Sequence, residues 1–139
     1  MSQSENPVLA RLFDAHRVRR GFSEAVHAEV RAFQQHTGID DPLLRDLTHL
    51  PFVTIDNEDS RDLDQALYIA TEENGFIVYY ALADGDYYVR PNSALFQEAL
   101  ARGSSYYLPG LCEPMLPRGL SEDLVSLNPE VNRRALVFE

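Results

Sequence analysis

The sequence contains no lysine, and cysteine occurs only once, at Cys112. A single cysteine excludes an intramolecular disulfide framework and suits a reducing compartment. No apolar run approaches the ~18 residues that a membrane-spanning helix needs, and the N-terminus lacks the basic-then-apolar pattern of a secretory signal. We therefore expect a soluble, cytoplasmic protein. All twelve basic residues are arginine, which genome composition explains most simply, although arginine also suits bidentate phosphate contacts.

Negative charge is in excess, with a formal net charge of −10 over 139 residues. This excess argues against a surface that coats nucleic acid non-specifically, because such binding depends on clustered basic residues. Residues 52–86 hold nine carboxylates and one arginine, and nine minus one accounts for −8 of the total. The nine are Asp56, Glu58, Asp59, Asp62, Asp64, Glu72, Glu73, Asp84 and Asp86.

The first part of the chain has a helical pattern, from residue 7 to residue 36, that Gly21 divides into two. Ser23 is a candidate N-cap for the second helix, and Gly38 is a candidate end. Asp41-Pro42 predicts a short turn or helix that Pro51 ends. We therefore expect a helical module over residues 1–40, which could belong to a helix-turn-helix-like domain, and a linker over residues 41–51.

Strand patterns begin at residue 52. Phe52–Ile55 is apolar or β-branched throughout, which is typical of a strand covered on both faces. Ala66–Ala70 and Phe76–Ala83 predict a hairpin, because Asn74 and Gly75 tolerate positive φ. The further predicted elements are a helix from Ser93 to Arg102, a strand at 104–108, a turn at Pro109-Gly110, a short helix at 120–127 and a strand at 134–139. Because the chain ends within this last strand, we expect the remainder of a larger protein to be missing.

The acidic residues that follow the first predicted strand are the strongest functional signal. Asp56, Asp62 and Asp64 could fold together into a site for one or two Mg²⁺ ions, the hard cations that carboxylate clusters usually hold. Such a site would support metal-assisted phosphate chemistry. An EF-hand is excluded, because Arg61 and Leu67 stand where its loop requires Gly and Glu. A solvated acidic loop remains the alternative, because charge runs are often simply solvated.

Four ordered blocks resemble the ribonuclease II and ribonuclease R family, whose RNB catalytic domain hydrolyses RNA from its 3′ end. The blocks are FVTIDNEDSRDLDQAL, VYYALADGDYYVRPNSAL, ARGSSYYLPG and CEPMLPRGLSEDLVSLNPEVNRRALVFE. They cover residues 50–139. The resemblance implies an α+β fold in which the helical module precedes the mixed-sheet first half of an RNB domain, here over residues 52–139. The downstream half is missing, so we expect the isolated chain to be inactive.

The resemblance also implies roles for individual residues. Asp56 and Asp62 would bind Mg²⁺, and Asp64 would be the carboxylate that cleavage cannot do without, so Asp62 and Asp64 are the catalytic candidates. Gln65 stands where the family has a fourth aspartate, and as a neutral ligand it predicts weaker metal binding. Tyr107 would stack on the terminal nucleotide of the RNA, with core packing as its alternative.

Two lesser features are open to a functional or a structural interpretation. Asp84 would act near the site or, more simply, cap a loop. Arg17, Arg19 and Arg20 form a basic cluster that could contact phosphate, although a solvated helix face explains it more simply.

The predicted function is Mg²⁺-dependent 3′-to-5′ hydrolysis of single-stranded RNA to nucleoside 5′-monophosphates. The alternative is a catalytically impaired RNB relative that binds RNA or a protein partner. Gln65 is the feature that keeps this alternative open.

Overall fold

The computed structural model describes residues 7–108 and 111–139. It contains helices and antiparallel strands, and this confirms the predicted α+β class. The predicted turn at Pro109-Gly110 lies outside the described residues. In chain order the elements are α1 (Pro7–His16), α2 (Glu24–Gln35), β1 (Gln65–Glu72), β2 (Gly75–Ala83), α3 (Gly85–Tyr88), α4 (Ala94–Arg102), β3 (Tyr106–Leu108), β4 (Leu111–Glu113), a π-helix (Gly119–Leu124) and β5 (Ala135–Phe138).

Local capping signals set the ends of the main helices. The side chain of Ser23 accepts a hydrogen bond from the Val26 N–H, which confirms Ser23 as the N-cap of α2. Ser93 caps α4 in the same way by accepting from the Phe96 N–H at 3.0 Å. Gly103 ends α4 in the left-handed conformation, with φ of +73°. Helix α2 ends at Gln35, before the predicted stop at Gly38.

The main sheet has the strand order β1-β2-β5. Strands β1 and β2 form the predicted hairpin, in which Glu72 pairs with Gly75. Strand β5 pairs with the carboxyl-terminal part of β2, and β3 and β4 form a separate two-stranded hairpin. Each of these pairings is antiparallel, so the mixed sheet that we expected is not seen in the described part of the chain.

The prediction of a buried strand at Phe52–Ile55 is wrong. Only Val53 pairs, through an isolated bridge to Leu67, and the side chains of Val53 and Ile55 are 53% and 80% exposed. On both sides of this bridge, backbone N–H groups form local hydrogen bonds. The Phe52 N–H donates to the Leu50 carbonyl, and the Asp56 carboxylate accepts from the Asn57 N–H. The Phe52 N–H is therefore not available to extend the ladder.

The main hydrophobic core lies between α2, α4 and the π-helix. Its buried members are Val26, Val30, Tyr88, Leu95, Leu120 and Leu124. The carboxylate of Glu29 on α2 also accepts hydrogen bonds from the N–H groups of Ala94 and Leu95, at the first turn of α4. Helix α2 therefore shares its core with elements beyond residue 52. The division into residues 1–40, 41–51 and 52–139 stays a prediction.

The short helix predicted at 120–127 is instead a π-helix of six residues that ends at Leu124. The Val125 N–H closes it by donating to the Leu120 carbonyl at 2.9 Å. Ser126 and Leu127 lie beyond it and form hydrogen bonds with residues 61–63 instead. These long-range bonds explain why the helix is shorter than its sequence pattern predicts.

In the part of the chain that the structure describes, no helix is both long enough and apolar enough to cross a bilayer.

Candidate active site

The acidic segment, residues 56–65, is held against the turn that follows the π-helix. The Leu63 N–H donates to the Ser126 hydroxyl at 3.0 Å, and the Leu63 carbonyl accepts from the Leu127 N–H at 2.8 Å. At its end, the Asp64 carbonyl accepts from the Ala83 N–H at 2.9 Å. The backbone on both sides of Asp64 is therefore fixed by hydrogen bonds.

Asp62 and Asp64 flank Leu63, and their burial alternates with it. Both aspartates are exposed, whereas Leu63 is half-buried. This alternation is expected for extended backbone, in which residues two apart lie on the same face. No ion pair involves Asp62 or Asp64 among the described side chains. The two carboxylates are therefore available to a ligand.

Asp56 has different surroundings from Asp62. Its Oδ1 accepts hydrogen bonds from the Ser60 hydroxyl at 2.6 Å and from the Asn57 N–H at 2.7 Å. The Ser60 bond, with a smaller contribution from Asn57, holds the pKa of Asp56 below its usual value. Asp56 lines a groove formed by the linker, the acidic segment and β5, and the lining of this groove includes neither Asp62 nor Asp64.

The predicted set of Asp56, Asp62 and Asp64 is not gathered around one point. Within residues 7–108 and 111–139, no three side chains of His, Cys, Asp or Glu lie where they could bind one metal ion. By chemistry, the exposed pair Asp62 and Asp64 suits a hard cation such as Mg²⁺. Two carboxylates are too few to form a complete set of metal ligands by themselves. The described residues of this chain do not complete a metal centre.

Tyr107 lies beside Asp62. The Asp62 carboxylate is the main cause that raises the pKa of the Tyr107 hydroxyl, because a neighbouring negative charge disfavours the phenolate. Tyr107 pairs with Cys112 across the β3–β4 hairpin. Burial is the main cause that raises the pKa of the Cys112 thiol, and Asp62 contributes in the same direction. The acidic segment and this hairpin therefore meet at Asp62.

The side chain of Tyr107 is 71% exposed, which is not the environment of a core residue. The core-packing alternative is therefore not supported for Tyr107. Its neighbour Tyr106 is half-buried. An exposed ring beside a carboxylate is suitable for stacking on a base.

Gln65 begins β1 and is exposed next to Asp64. The Tyr80 hydroxyl donates a hydrogen bond to its Oε1 atom. Tyr80 lies on β2, diagonal to Gln65 in the ladder, since Gln65 pairs with Leu82 and Leu67 pairs with Tyr80. The amide oxygen that would face a metal ion is therefore already bound to a tyrosine.

Asp84 acts as a cap. Its Oδ1 accepts from the Tyr87 N–H at 3.2 Å and its Oδ2 from the Arg134 guanidinium at 3.1 Å. The simpler of our two predictions for Asp84 is therefore confirmed. Arg134, which we did not predict, also donates to the Gly38 carbonyl and packs over the Tyr87 ring at 3.8 Å. It joins the start of β5 to the residues that follow α2.

Two arginines of the basic cluster form ion pairs with carboxylates. Arg19 binds Glu98 through two hydrogen bonds of 2.9 and 3.0 Å, and Arg20 lies 3.8 Å from Glu113. These ion pairs tie the segment after α1 to α4 and β4. They favour a structural role for Arg19 and Arg20 over contact with phosphate.

Comparison with known protein families identifies an RNB domain over residues 44–139. Ribonuclease R of Vibrio cholerae is 52% identical over 95 residues, which is 68% of this chain and 12% of the relative. Exoribonuclease 2 of Proteus mirabilis is 52% identical over 101 residues, 72% of this chain and 16% of the relative. The chain therefore spans a small fraction of the length of these relatives.

Comparison with solved structures gives the same family. The RNase R of Mycoplasma genitalium, solved in complex with ribose-methylated single-stranded RNA, superposes with a TM-score of 0.81 at 35% sequence identity. The match covers 96% of this chain and 21% of that one. It therefore extends well beyond residues 44–139 and takes in helices that precede them. With the RNB match over more than half of its length, the chain belongs to the ribonuclease R and ribonuclease II family, and its residues 44–139 correspond to the N-terminal part of the RNB domain.

Proposed function

We propose that this chain takes part in RNA degradation and supplies the acidic segment of a hydrolytic 3′-to-5′ exoribonuclease. The observation that carries this proposal is the exposed pair Asp62 and Asp64 beside the exposed ring of Tyr107. Carboxylates and an aromatic ring together suit a ligand that has both phosphates and bases. The RNB family membership supports RNA as that ligand.

In this proposal Asp62 and Asp64 bind Mg²⁺, and Asp64 is the carboxylate on which turnover depends most. A bound Mg²⁺ would neutralise charge that develops on the phosphodiester and on the attacking water. The Oδ1 atom of Asp56 already accepts from Ser60 and Asn57, so Asp56 would join through its Oδ2 atom. The remaining ligands would come from outside the described residues, so we propose that the 139-residue chain alone does not cleave RNA.

Tyr107 would hold the terminal base by stacking. Stacking on an aromatic ring tolerates any base, because every base has a π-face, and it is worth ~1–3 kcal/mol per base. This tolerance suits an enzyme that releases one nucleoside 5′-monophosphate after another from single-stranded RNA. The exposure of Tyr107 supports this role, since a stacking ring must be accessible.

The second candidate function is an impaired RNB relative that binds RNA or a protein partner without cleavage. The observation in its favour is Gln65, a neutral residue whose Oε1 already accepts from Tyr80. A neutral amide offsets none of the charge of a divalent ion. The two candidates share RNA binding and differ in cleavage.

The test is an assay of the longest natural form of this chain on a 5′-labelled oligoribonucleotide, with Mg²⁺ and with EDTA. We expect progressive shortening from the 3′ end, release of nucleoside 5′-monophosphates, and no cleavage in EDTA. The matched control is the Asp64→Asn variant, which keeps the size of the side chain and removes its charge. RNA binding without cleavage by the natural protein would instead support the impaired relative.

A further inference from the structure

Ser126 is a buried polar residue that is 1% exposed. Its hydroxyl forms hydrogen bonds with the backbone of the acidic segment. Its Oγ accepts from the Leu63 N–H at 3.0 Å and donates to the Arg61 carbonyl at 2.8 Å. Asn128 Oδ1 lies farther away, at 3.3 Å. A hydroxyl has one proton, so the shorter bond to Arg61 is the stronger candidate for it. The hydroxyl therefore bridges the two backbone groups that flank Asp62.

Ser126 is itself firmly held. Arg133 Nε donates to the Ser126 carbonyl at 3.2 Å and to the Asp123 carbonyl at 3.0 Å. The Arg133 guanidinium also binds the Asp123 carboxylate at 2.8 Å. Asn128 closes the same turn by donating to the Glu122 carbonyl. The hydroxyl is thus fixed by the turn after the π-helix and not by the acidic segment that it contacts.

Burial of the Ser126 hydroxyl costs folding free energy that burial of an apolar side chain of similar size would not cost. A buried hydroxyl is destabilising unless it is hydrogen-bonded, and alanine would fill most of the same space without that requirement. Serine differs from alanine at this position because its two hydrogen bonds define where the backbone of residues 61 and 63 lies. The side chain between those two points is Asp62, and Asp64 follows directly after.

We propose that Ser126 is a positioning residue that fixes the backbone from Arg61 to Leu63 and thereby orients Asp62 and Asp64 for the reaction. This inference rests on the proposed function, because it concerns the same two carboxylates. Ser126 contacts neither RNA nor the reacting atoms and acts only through the backbone. Small displacements of aligned groups are costly in catalysis, so the loss of this bridge lowers turnover more than it lowers affinity.

The kinetic test uses the Ser126→Ala variant of the longest natural form of the chain. We expect kcat at saturating Mg²⁺ to fall by at least ~10-fold with KM within about threefold of wild type, because positioning acts on the transition state. The matched control is Ser121→Ala, since the Ser121 hydroxyl bonds the Pro117 carbonyl and no other group within the described residues. This control should keep wild-type kcat. A folded Ser126→Ala protein with kcat within twofold of wild type would overturn the inference.

A destabilised control separates positioning from general loss of stability. Val30 is buried in the core that α2 shares with the π-helix. Val30→Ala therefore lowers stability through packing and removes no hydrogen bond to the acidic segment. At equal fraction folded we expect Val30→Ala to retain kcat and Ser126→Ala to lose it. If Ser126→Ala does not fold, Ser126→Cys takes its place, because a thiol is a weaker hydrogen-bonding group of similar shape. A folded Ser126→Cys protein with unchanged kcat would also overturn the inference.

A second readout does not depend on catalysis and uses the 139-residue chain. In Ser126→Ala the Leu63 amide loses its acceptor, so its hydrogen exchange should accelerate by at least ~10-fold while the amides of α2 keep their protection. Unchanged exchange at Leu63 would show that the hydroxyl does not hold the segment. If the longest natural form cleaves no RNA, the proposed function fails and the exchange result still decides whether Ser126 holds the segment.

Discussion

The carboxylate of Asp62 lies close enough to the hydroxyl of Tyr107 to raise its pKa. Asp62 belongs to the acidic segment, whereas Tyr107 belongs to the β3–β4 hairpin, so the contact joins the two parts of the proposed site. One residue supplies charge and the other an exposed aromatic surface. A terminal nucleotide stacked on the Tyr107 ring would place its phosphate in the neighbourhood of Asp62.

Tyr107→Ala should weaken binding of RNA by about 1–3 kcal/mol, the usual value of one base stacked on one ring. In the longest natural form of the chain this appears as a raised KM or a longer residual end product, with chemistry retained. Tyr107→Phe is the matched control, because it keeps the ring and removes only the hydroxyl beside Asp62. Since Tyr107 is 71% exposed, both variants should fold. Equal effects of Ala and Phe would argue against stacking.

Asp64→Asn should lower turnover by at least ~100-fold and leave RNA affinity within a few-fold, because the lost charge acts on the transition state. The measurement is kcat and Kd in the longest natural form. Glu58→Gln is the control, since Glu58 is an exposed carboxylate of the same segment that we assign no role. Turnover of Asp64→Asn within tenfold of wild type would contradict the role of Asp64.

Gln65→Asp should shift the activation by Mg²⁺ to lower concentration, because a carboxylate restores a negative charge beside Asp64. The maximal rate need not rise, since saturating Mg²⁺ compensates for weak binding. The measurement is activity against Mg²⁺ concentration for both proteins. Tyr80→Phe is a useful companion, because it releases Gln65 Oε1 without changing charge. An unchanged midpoint in Gln65→Asp would place residue 65 outside the metal shell.

The elements with strong local signals were predictable from the sequence. Ser23 caps α2 as predicted, Ser93 caps α4 at the predicted start of that helix, and Gly103 ends α4 with positive φ. The β1–β2 hairpin follows from the two apolar runs, 66–70 and 76–83, on either side of Asn74 and Gly75. Each of these features depends on residues within one turn or one hairpin, so the sequence alone contains the information.

Features that depend on distant residues were not predictable. Phe52–Ile55 has the composition of a buried strand, but its partners are limited to one bridge. Asp56, which directly follows that segment, has different neighbours from Asp62, although only six positions separate them. Ser126 contacts residues that lie more than sixty positions away, and nothing in its own neighbourhood in the sequence marks it.

Gly38→Ala should destabilise the protein far more than Gly103→Ala. Both glycines have φ of +73°, so each substitution carries a similar left-handed penalty of about 1–2 kcal/mol. A Cβ at Gly103 meets open space, whereas a Cβ at Gly38 collides with the Tyr87 ring. That ring is held by Arg134 on one face and by the edge contact with Tyr88. The free energy of unfolding should therefore fall by at least ~1 kcal/mol more for Gly38→Ala. Urea denaturation of the 139-residue chain measures both, and equal losses would mean that Tyr87 moves aside.

Glu98→Gln should destabilise the protein at neutral pH by about 1–3 kcal/mol, the usual range for hydrogen bonds to charged groups. Glu98 accepts from Arg19 and from Arg102, whose side chain is only 3% exposed and would lose its carboxylate partner. The bond from Arg19, supported by that from Arg102, lowers the pKa of Glu98 below its ordinary value of 4.5. A carboxylate with a lowered pKa stabilises the folded state above its unfolded pKa, and this contribution disappears as the pH falls through the folded value.

The stability difference between wild type and Glu98→Gln should therefore be constant from about pH 6 to 8 and shrink progressively below about pH 4.5. Thermal unfolding across this range measures it. Glu24→Gln is the control, because Glu24 also pairs with an arginine but is 81% exposed, and surface pairs contribute little. A difference between wild type and Glu98→Gln that persists unchanged at low pH would show that Glu98 stabilises the fold through packing and not through its charge.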